Sequence, residues 1–364
     1  MRIMVISPFQ LRLRRGIERF ATNLAAELAL LGHDLTILSR PGPLPWDRRL
    51  VECHVRRQTV WGPRYYEAAW AALFYAQLLM RLRPDVVVVF FAGYGEAAGL
   101  ALASPACRPR VVFVAGYPLE LVPHRFAEFR QWGLDHRLDG VVVKARHMAP
   151  AIEQFFGRST QLIPNGVDVR LFRPVSRASR DSFKSRAPHL VTVAALERRK
   201  GFALVLEALP NVMAQLGPVN YTIVGDGPAR DWLEARIRER HLRDHVELVG
   251  AVDSVQPYLA DADLFLLPSH GEGLPNAYLE ALAMGLPTIV SNDPPYDDIA
   301  RPGFSIRVDR GNPEAIALAI IQLLRDPVRR ASMGLAARDE AEKVYAWPMI
   351  AQRYQSLFTR LVSS

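Results

Sequence analysis

Two carboxylates, Glu272 and Glu280, bracket the stretch Glu272-Gly-Leu-Pro-Asn-Ala-Tyr-Leu-Glu280, which runs on through Ala-Leu-Ala-Met-Gly285-Leu-Pro287. Eight positions do not place two side chains on one helical face, so Glu272 is expected to end a loop and Glu280 to project from the helix that follows. Such a pair can grip a polyhydroxylated ligand from two sides. The turn between them, Gly273-Leu274-Pro275-Asn276, brings backbone N–H groups to a helix N-terminus, where orphan donors and the macrodipole favour an anion such as a diphosphate. Carboxylates for hydroxyls and amides for phosphate together point to a nucleotide sugar.

These groups need a scaffold. At 364 residues and 50% hydrophobic composition, the chain can bury a sizeable core and is long enough for two ordinary domains. Its two cysteines, Cys53 and Cys107, show no CxxC or Cys/His spacing; this indicates neither a disulfide framework nor a zinc site and fits a reducing, cytoplasmic compartment. The opening run Met1-Arg-Ile-Met-Val-Ile-Ser7 is too short for a signal-peptide core or a spanning helix and reads as a buried first strand. The longest apolar region, 68–80, falls below the ~18–20 residues needed to cross a bilayer.

Charge is uneven. Residues 1–174 carry 23 Lys and Arg against 14 Asp and Glu, a balance of +9, whereas residues 175–364 carry 22 against 23, a balance of −1. The asymmetry points to an anionic partner for the first half, or to a sequence that simply favours arginine. No recognised nucleic-acid motif accompanies the charge, so nucleic acid is not expected as a partner.

Apolar strands and amphipathic helices alternate in two successive series, the pattern of parallel sheets covered on both faces. Strands are expected at Arg2–Ile6, Asp34–Leu38, Val86–Phe91, Val111–Val114, Gly140–Val143 and Gln161–Ile163, then at Leu190–Ala194, Tyr221–Val224, Val246–Val249, Leu264–Leu267 and Thr288–Val290. The helix after the first strand carries Ile17, Phe20, Leu24, Leu28 and Leu31 at the spacing of a buried stripe and stops at Gly32. The polar, basic segment Arg173–Pro188 reads as the interdomain connection. The expected domains are therefore 1–174 and 175–344, with a C-terminal helix over 345–364 packing back across the first.

Six motifs then occur in order: Gly16-Ile-Glu-Arg19 with its helix to Gly32-His33, Ile163-Pro-Asn-Gly-Val-Asp168, Arg199-Lys200-Gly201, Val224-Gly225-Asp-Gly-Pro228, Pro268-Ser-His270-Gly-Glu272, and the paired-carboxylate stretch. In this order they resemble the glycosyltransferases of family 4 with the GT-B fold, over nearly the whole chain. The resemblance implies an α/β architecture of two Rossmann-like, doubly wound parallel-sheet domains facing a central cleft. It also implies retaining, front-face transfer from an activated-sugar donor, with no metal or other cofactor.

The resemblance also implies roles for particular residues. Glu272 would contact hydroxyls of the transferred sugar and Glu280 the ribose of the nucleotide; Glu272 and Lys200 are the catalytic candidates. Lys200, near a helix N-terminus, would hold the donor phosphates. The family usually places an arginine five positions before this lysine, where this chain has Ala195, so Arg198 or Arg199 is expected to supply the second cation. Gly16 stands where the first strand's loop enters a helix, and Arg15 precedes it in place of a second glycine. Gly225, His270, Gly273, Leu274, Pro275 and Asn276 complete the donor-side set, with His270 alternatively a cap of the helix that carries Glu280. The family's acceptor-side histidine is absent after Val111–Val114; Glu120 and His124 are the candidates there, beside Arg15. Asp261-Ala-Asp263 spells a metal-binding DxD motif but lies at the start of a strand and reads as a strand-entry cap.

Partners follow from these readings: a nucleotide-sugar donor, UDP- or GDP-linked, and a glycan or lipid-linked acceptor. Trp46, Trp61, Tyr65, Tyr66 and Trp70 lie among Arg48, Arg49, Arg56, Arg57 and Arg64, a mixture suited either to an anionic membrane surface or to a core helix with inward aromatics. Other readings within reach are a GT-B epimerase or phosphorylase and a non-catalytic nucleotide-sugar-binding protein.

Overall fold

The computed structural model describes residues 1–6, 16–39, 50, 52–59, 68–90, 108–121, 123, 126–127, 130, 133, 135–174 and 187–364. The first series of elements comprises β1 (Arg2–Ile6), α1 (Gly16–Leu30), β2 (Asp34–Ser39), β3 (Arg56–Thr59), α2 (Ala68–Leu82), β4 (Val86–Val89), β5 (Arg110–Ala115), β6 (Gly140–Val143), α3 (Ala149–Phe156) and β7 (Gln161–Leu162). The second comprises β8 (His189–Val193), α4 (Phe202–Leu216), β9 (Asn220–Val224), α5 (Arg230–Glu239), β10 (Val246–Gly250), α6 (Gln256–Asp261), β11 (Leu264–Leu267), α7 (Asn276–Ala283), β12 (Thr288–Ser291), β13 (Ser305–Val308), α8 (Pro313–Arg325) and α9 (Pro327–Glu340). The last element is α10 (Trp347–Ser363).

The strands form two parallel sheets, in the orders β3-β2-β1-β4-β5-β6-β7 and β10-β9-β8-β11-β12-β13. Central strands such as β4, four valines all buried, are covered on both faces and need no polar side. In each sheet the chain leaves the first strand laid down in one direction and later returns on its other side. This creates a switch point between β1 and β4 and another between β8 and β11.

Two strands were not expected. β3 is Arg56-Arg57-Gln58-Thr59 and β13 is Ser305-Ile306-Arg307-Val308, and each pairs on one side only, with β2 and β12 respectively. An edge strand needs no continuous apolar run, so neither stands out by composition.

The chain divides into two compact units, Met1–Asn165 with Trp347–Ser364, and Gly166–Ala346. The division falls at Asn165/Gly166, not near residue 175, because the segment after Asn165 is tied to the second unit. Val167 donates to the Tyr345 carbonyl at 2.8 Å. The Arg338 guanidinium donates to the carbonyls of Val169, Phe172 and Ala283 at 2.6–2.9 Å. Asp168 closes a turn there by accepting from the amides of Arg170 and Leu171.

In the first unit, α10 buries Trp347, Ile350, Tyr354 and Phe358 in one core with Phe20 and Leu24 of α1. Lys144, just past β6, is enclosed in that packing. Its Nζ lies 3.3 Å from the centre of the Phe20 ring and donates to the Tyr354 hydroxyl at 3.0 Å. Burial pushes the Lys144 amine well below its ordinary value. Among the described residues, no helix is long and apolar enough to cross a membrane. Trp46, Trp61, Tyr65, Tyr66, Arg48, Arg49 and Arg64 lie outside the described residues.

Candidate active site

In open parallel sheets of this order, ligands bind outside the carboxyl ends of the strands at the switch point. In the second unit that position is flanked by the loop after β8, which leads to Lys200, and the loop after β11, which leads to Glu272. The two loops meet there. Lys200 Nζ lies 2.6 Å from Glu272 Oε1, and Arg199 Nη1 approaches the same oxygen at 3.3 Å. The Lys200 and Glu272 side chains are only 11% and 8% exposed, so this charge-assisted contact is weakly screened.

Arg199 also straps the loop. It donates through Nη1 to the carbonyls of His270 and Gly271 at 3.3 and 3.1 Å, and through Nε to Glu197 at 2.6 Å. Arg198 does not share this site; its guanidinium stacks over Trp232 at 5.0 Å, beside Arg236. The reason is local. Arg198–Lys200 is a single 3-10 turn, so successive side chains point in different directions, and only Arg199 and Lys200 face the loop after β11. Of the two arginines expected to stand in for the one absent at Ala195, Arg199 is the one that lies beside Lys200 and Glu272.

The close approach of the loops depends on Gly201, which has φ +76°. A Cβ there would lie 2.1 Å from the Pro268 carbonyl oxygen. Gly225 has a similar packing duty: at φ +143°, its missing Cβ leaves room for the Ala194 carbonyl oxygen, which a Cβ would approach to 1.9 Å. From sequence Gly225 is expected on the ligand side and Gly201 only as part of a motif; the structure gives both a packing reason.

Helix α7 begins after Pro275, with Asn276 at its first position, and no side chain caps it. His270 is exposed and its amide donates to the Arg199 carbonyl at 3.0 Å; its side chain does not cap α7, whose N-cap residue is Pro275. Gly273 is half-buried, and the Leu274 side chain packs into the core with Tyr278. Glu280 projects from α7 and is buried, 7% exposed, as is Glu272.

Three residues at this site went unremarked in the sequence. Asp293, 4% exposed, accepts from the Gly271 amide at 3.1 Å and from Arg310. Tyr296 lies beneath the loop, its hydroxyl 3.3 Å from Ser269 Oγ. Burial pushes its hydroxyl well up, and the nearby Glu272 charge pushes it further. No motif announces Asp293, Tyr296 or Arg310, because their part depends on contacts across 17 to 27 positions of chain.

The remaining candidates fall elsewhere. Gly16 opens α1 in the first unit, and Glu120 is exposed on the turn Leu119–Leu121 of that unit. Arg15 and His124 lie outside the described residues. Asp261 and Asp263 are engaged at the start of β8: Asp263 accepts from the His189 amide at 2.9 Å, and Asp261 meets His189 Nδ1 at 3.0 Å. Among the described residues, no cluster of three or more His, Cys, Asp or Glu side chains is arranged to hold a metal ion.

Residues 177–340 match the family described as Glycosyl transferases group 1, and residues 14–171 match Glycosyltransferase Family 4. A lipopolysaccharide core biosynthesis glycosyltransferase, LpsD of Rhizobium meliloti (strain 1021), is 26% identical over 359 residues, 96% of each chain. A GDP-mannose-dependent alpha-(1-6)-phosphatidylinositol monomannoside mannosyltransferase of Mycolicibacterium smegmatis is 28% identical over 299 residues, 76% of this chain and 77% of its own. The crystal structure of Anabaena Alr3699/HepE in complex with UDP superposes with a TM-score of 0.80, at 16% identity, over 99% of this chain and 100% of that one. Switch-point geometry, the ordered motifs and these matches agree: the chain belongs to the family 4 glycosyltransferases of the GT-B fold.

Proposed function

We propose that this enzyme moves a sugar from a UDP- or GDP-linked donor to a glycan or lipid-linked acceptor, with retention at the anomeric carbon and without a metal. One observation carries the reading. Lys200, Arg199 and Glu272 converge on loops from the two strands that flank the switch point, in the same loop region that leads into the uncapped start of α7.

In this reading the donor diphosphate takes Lys200, Arg199 and the amides that begin α7, with Gly273, Leu274, Pro275 and Asn276 as the turn around it. Glu272 accepts from sugar hydroxyls and Glu280 from the ribose. The acceptor oxygen bonds to the anomeric carbon on the face from which the diphosphate departs, and its proton passes to a departing phosphate oxygen. Cations already placed where negative charge accumulates lower that barrier without further reorganisation. The relatives named above support the donor and acceptor classes, one being GDP-mannose-dependent and one seen with UDP. The +9 balance of residues 1–174 supports peripheral attachment to an anionic membrane on its cytoplasmic face. Vesicle binding that survives charge reversal of Arg48, Arg49, Arg56 and Arg57 refutes that part.

A thermal-shift panel of UDP, GDP, ADP and their sugars tests the donor. A true donor at a hundredfold excess over its Kd stabilises by about 2.7 kcal/mol, and transfer followed by NMR of the product's anomeric proton reports retention. Stabilisation by none of these nucleotides sinks the proposal.

A further inference from the structure

The buried carboxylate of Asp293 is not used where its position in the chain would use it. Asp293 stands at the N-cap of the turn Pro294–Tyr296, where an aspartate ordinarily accepts from the amides of the turn it begins. Its side chain makes no such bond. It reaches instead to the loop after β11, where one oxygen accepts from the Gly271 amide at 3.1 Å and the other from Arg310. A carboxylate that is 4% exposed needs such bonds to offset its lost water, and the one to Gly271 serves a further purpose.

The receiving residue shows what that purpose is. Gly271 has φ +66°, and the residue is held on both sides: Asp293 takes its N–H, and Arg199 Nη1 donates to its carbonyl at 3.1 Å. The next residue is Glu272. With Gly271 fixed on both sides, the Glu272 backbone starts from a set direction, and its carboxylate meets Lys200 at 2.6 Å.

We propose that Asp293 is a positioning residue for sugar transfer, acting through the Gly271 amide to aim Glu272, with Arg310 holding Asp293 in place. The inference rests on the reading of Glu272 as the contact to the donor sugar. A misplacement of about 1 Å in such a contact costs about 10²-fold in rate. The loss falls on the sugar, because the diphosphate is held by other groups.

Wild-type enzyme, Asp293→Asn and Asp293→Leu are compared for transfer kcat and for affinity toward UDP and GDP, and toward UDP-glucose and GDP-mannose. Asp293→Leu is expected to lose about 10²-fold in kcat, as above, and the extra affinity contributed by the sugar, while its affinity for the nucleoside diphosphate stays within about twofold, less than the tenfold worth of one 1.4 kcal/mol contact. Asp293→Asn keeps an acceptor for the Gly271 amide and is expected to recover most of the rate. Unchanged kcat in Asp293→Leu, or equal losses toward diphosphate and sugar, overturns the proposal. If the wild type binds none of the four probes, the fault lies with the donor reading. Amide exchange then decides on Asp293 alone: faster exchange confined to residues 269–273 in Asp293→Leu supports the clamp, and unchanged exchange overturns it.

Discussion

Lys200 faces a choice in this enzyme, because the carboxylate that holds it at 2.6 Å belongs to the residue expected to meet the sugar. The perturbations that expose the choice are Lys200→Met and Glu272→Gln, alone and combined. A hydrogen bond between charged groups contributes about 1.5–3 kcal/mol net. Stranding a buried charge costs about 3–5 kcal/mol, but Arg199 remains 3.3 Å from the same Glu272 oxygen. Lys200→Met should therefore destabilise the ligand-free enzyme by about 2 kcal/mol, within the hydrogen-bond range and below the cost of stranding the charge. The coupling energy of the cycle should be about 1.5–3 kcal/mol.

Binding separates the two residues. If Lys200 holds the donor phosphates as proposed, Lys200→Met should raise the Kd for UDP or GDP by about 10- to 10²-fold, the equivalent of that same hydrogen bond. Glu272→Gln frees Lys200 from its ion pair, so the nucleoside diphosphate should bind at least as tightly as to the wild type, while transfer falls by about 10²-fold or more. Calorimetric titration of both variants, with denaturant melts for the cycle, provides the data. Glu272→Gln weakening the diphosphate as much as Lys200→Met does would refute the competition, as would a coupling energy near zero.

Three further outcomes follow from the same contacts. Gly201→Ala places a Cβ 2.1 Å from the Pro268 oxygen at φ +76° and should cost about 3 kcal/mol, or roughly 6–12 °C in the melting temperature of the second unit; a shift under about 2 °C, worth less than about 1 kcal/mol, contradicts this packing. Because burial lowers the Lys144 amine, the unfolded chain binds more protons than the folded one between the folded value and the ordinary value of 10.5. Stability contributed by this site is therefore lowest below that window and rises with pH through it. Lys144→Met should flatten the slope, and pH-scanned melts that keep it contradict the assignment; absolute stability is the poorer readout, since the Tyr354 hydroxyl loses its partner. Asp261→Asn weakens an anchor of His189 and should cost about 1 kcal/mol with kcat unchanged and insensitive to EDTA, whereas a collapse of activity would reinstate Asp261-Ala-Asp263 as a metal motif.

Much of this site was legible because its chemistry is carried by short stretches of chain. Glu272 ending a loop and Glu280 on the following helix follow from their spacing and the Gly273–Pro275 turn. The arrangement that unites them with Lys200 comes from somewhere else. Leu190–Ala194 and Leu264–Leu267 read as strands from their apolar runs, but their adjacency is a property of strand order, and that order alone turns two loops 72 positions apart into one site. What periodicity misses is whatever owes its place to the far side of a pairing. β3 and β13 hold their edges through backbone bonds to one neighbour and so carry ordinary polar residues. Asp293 looks in sequence like a turn cap, and Gly201 like one more motif glycine, until the strand they follow or face is known. The same logic explains the choice between Arg198 and Arg199. Both are cations at the right place in the chain, yet a 3-10 turn gives one of them to Trp232 and the other to Glu272. Strand order brings a basic turn to an acidic loop, while local backbone geometry settles which guanidinium makes the contact, and that guanidinium in turn meets the Gly271 carbonyl while Asp293 takes the Gly271 N–H.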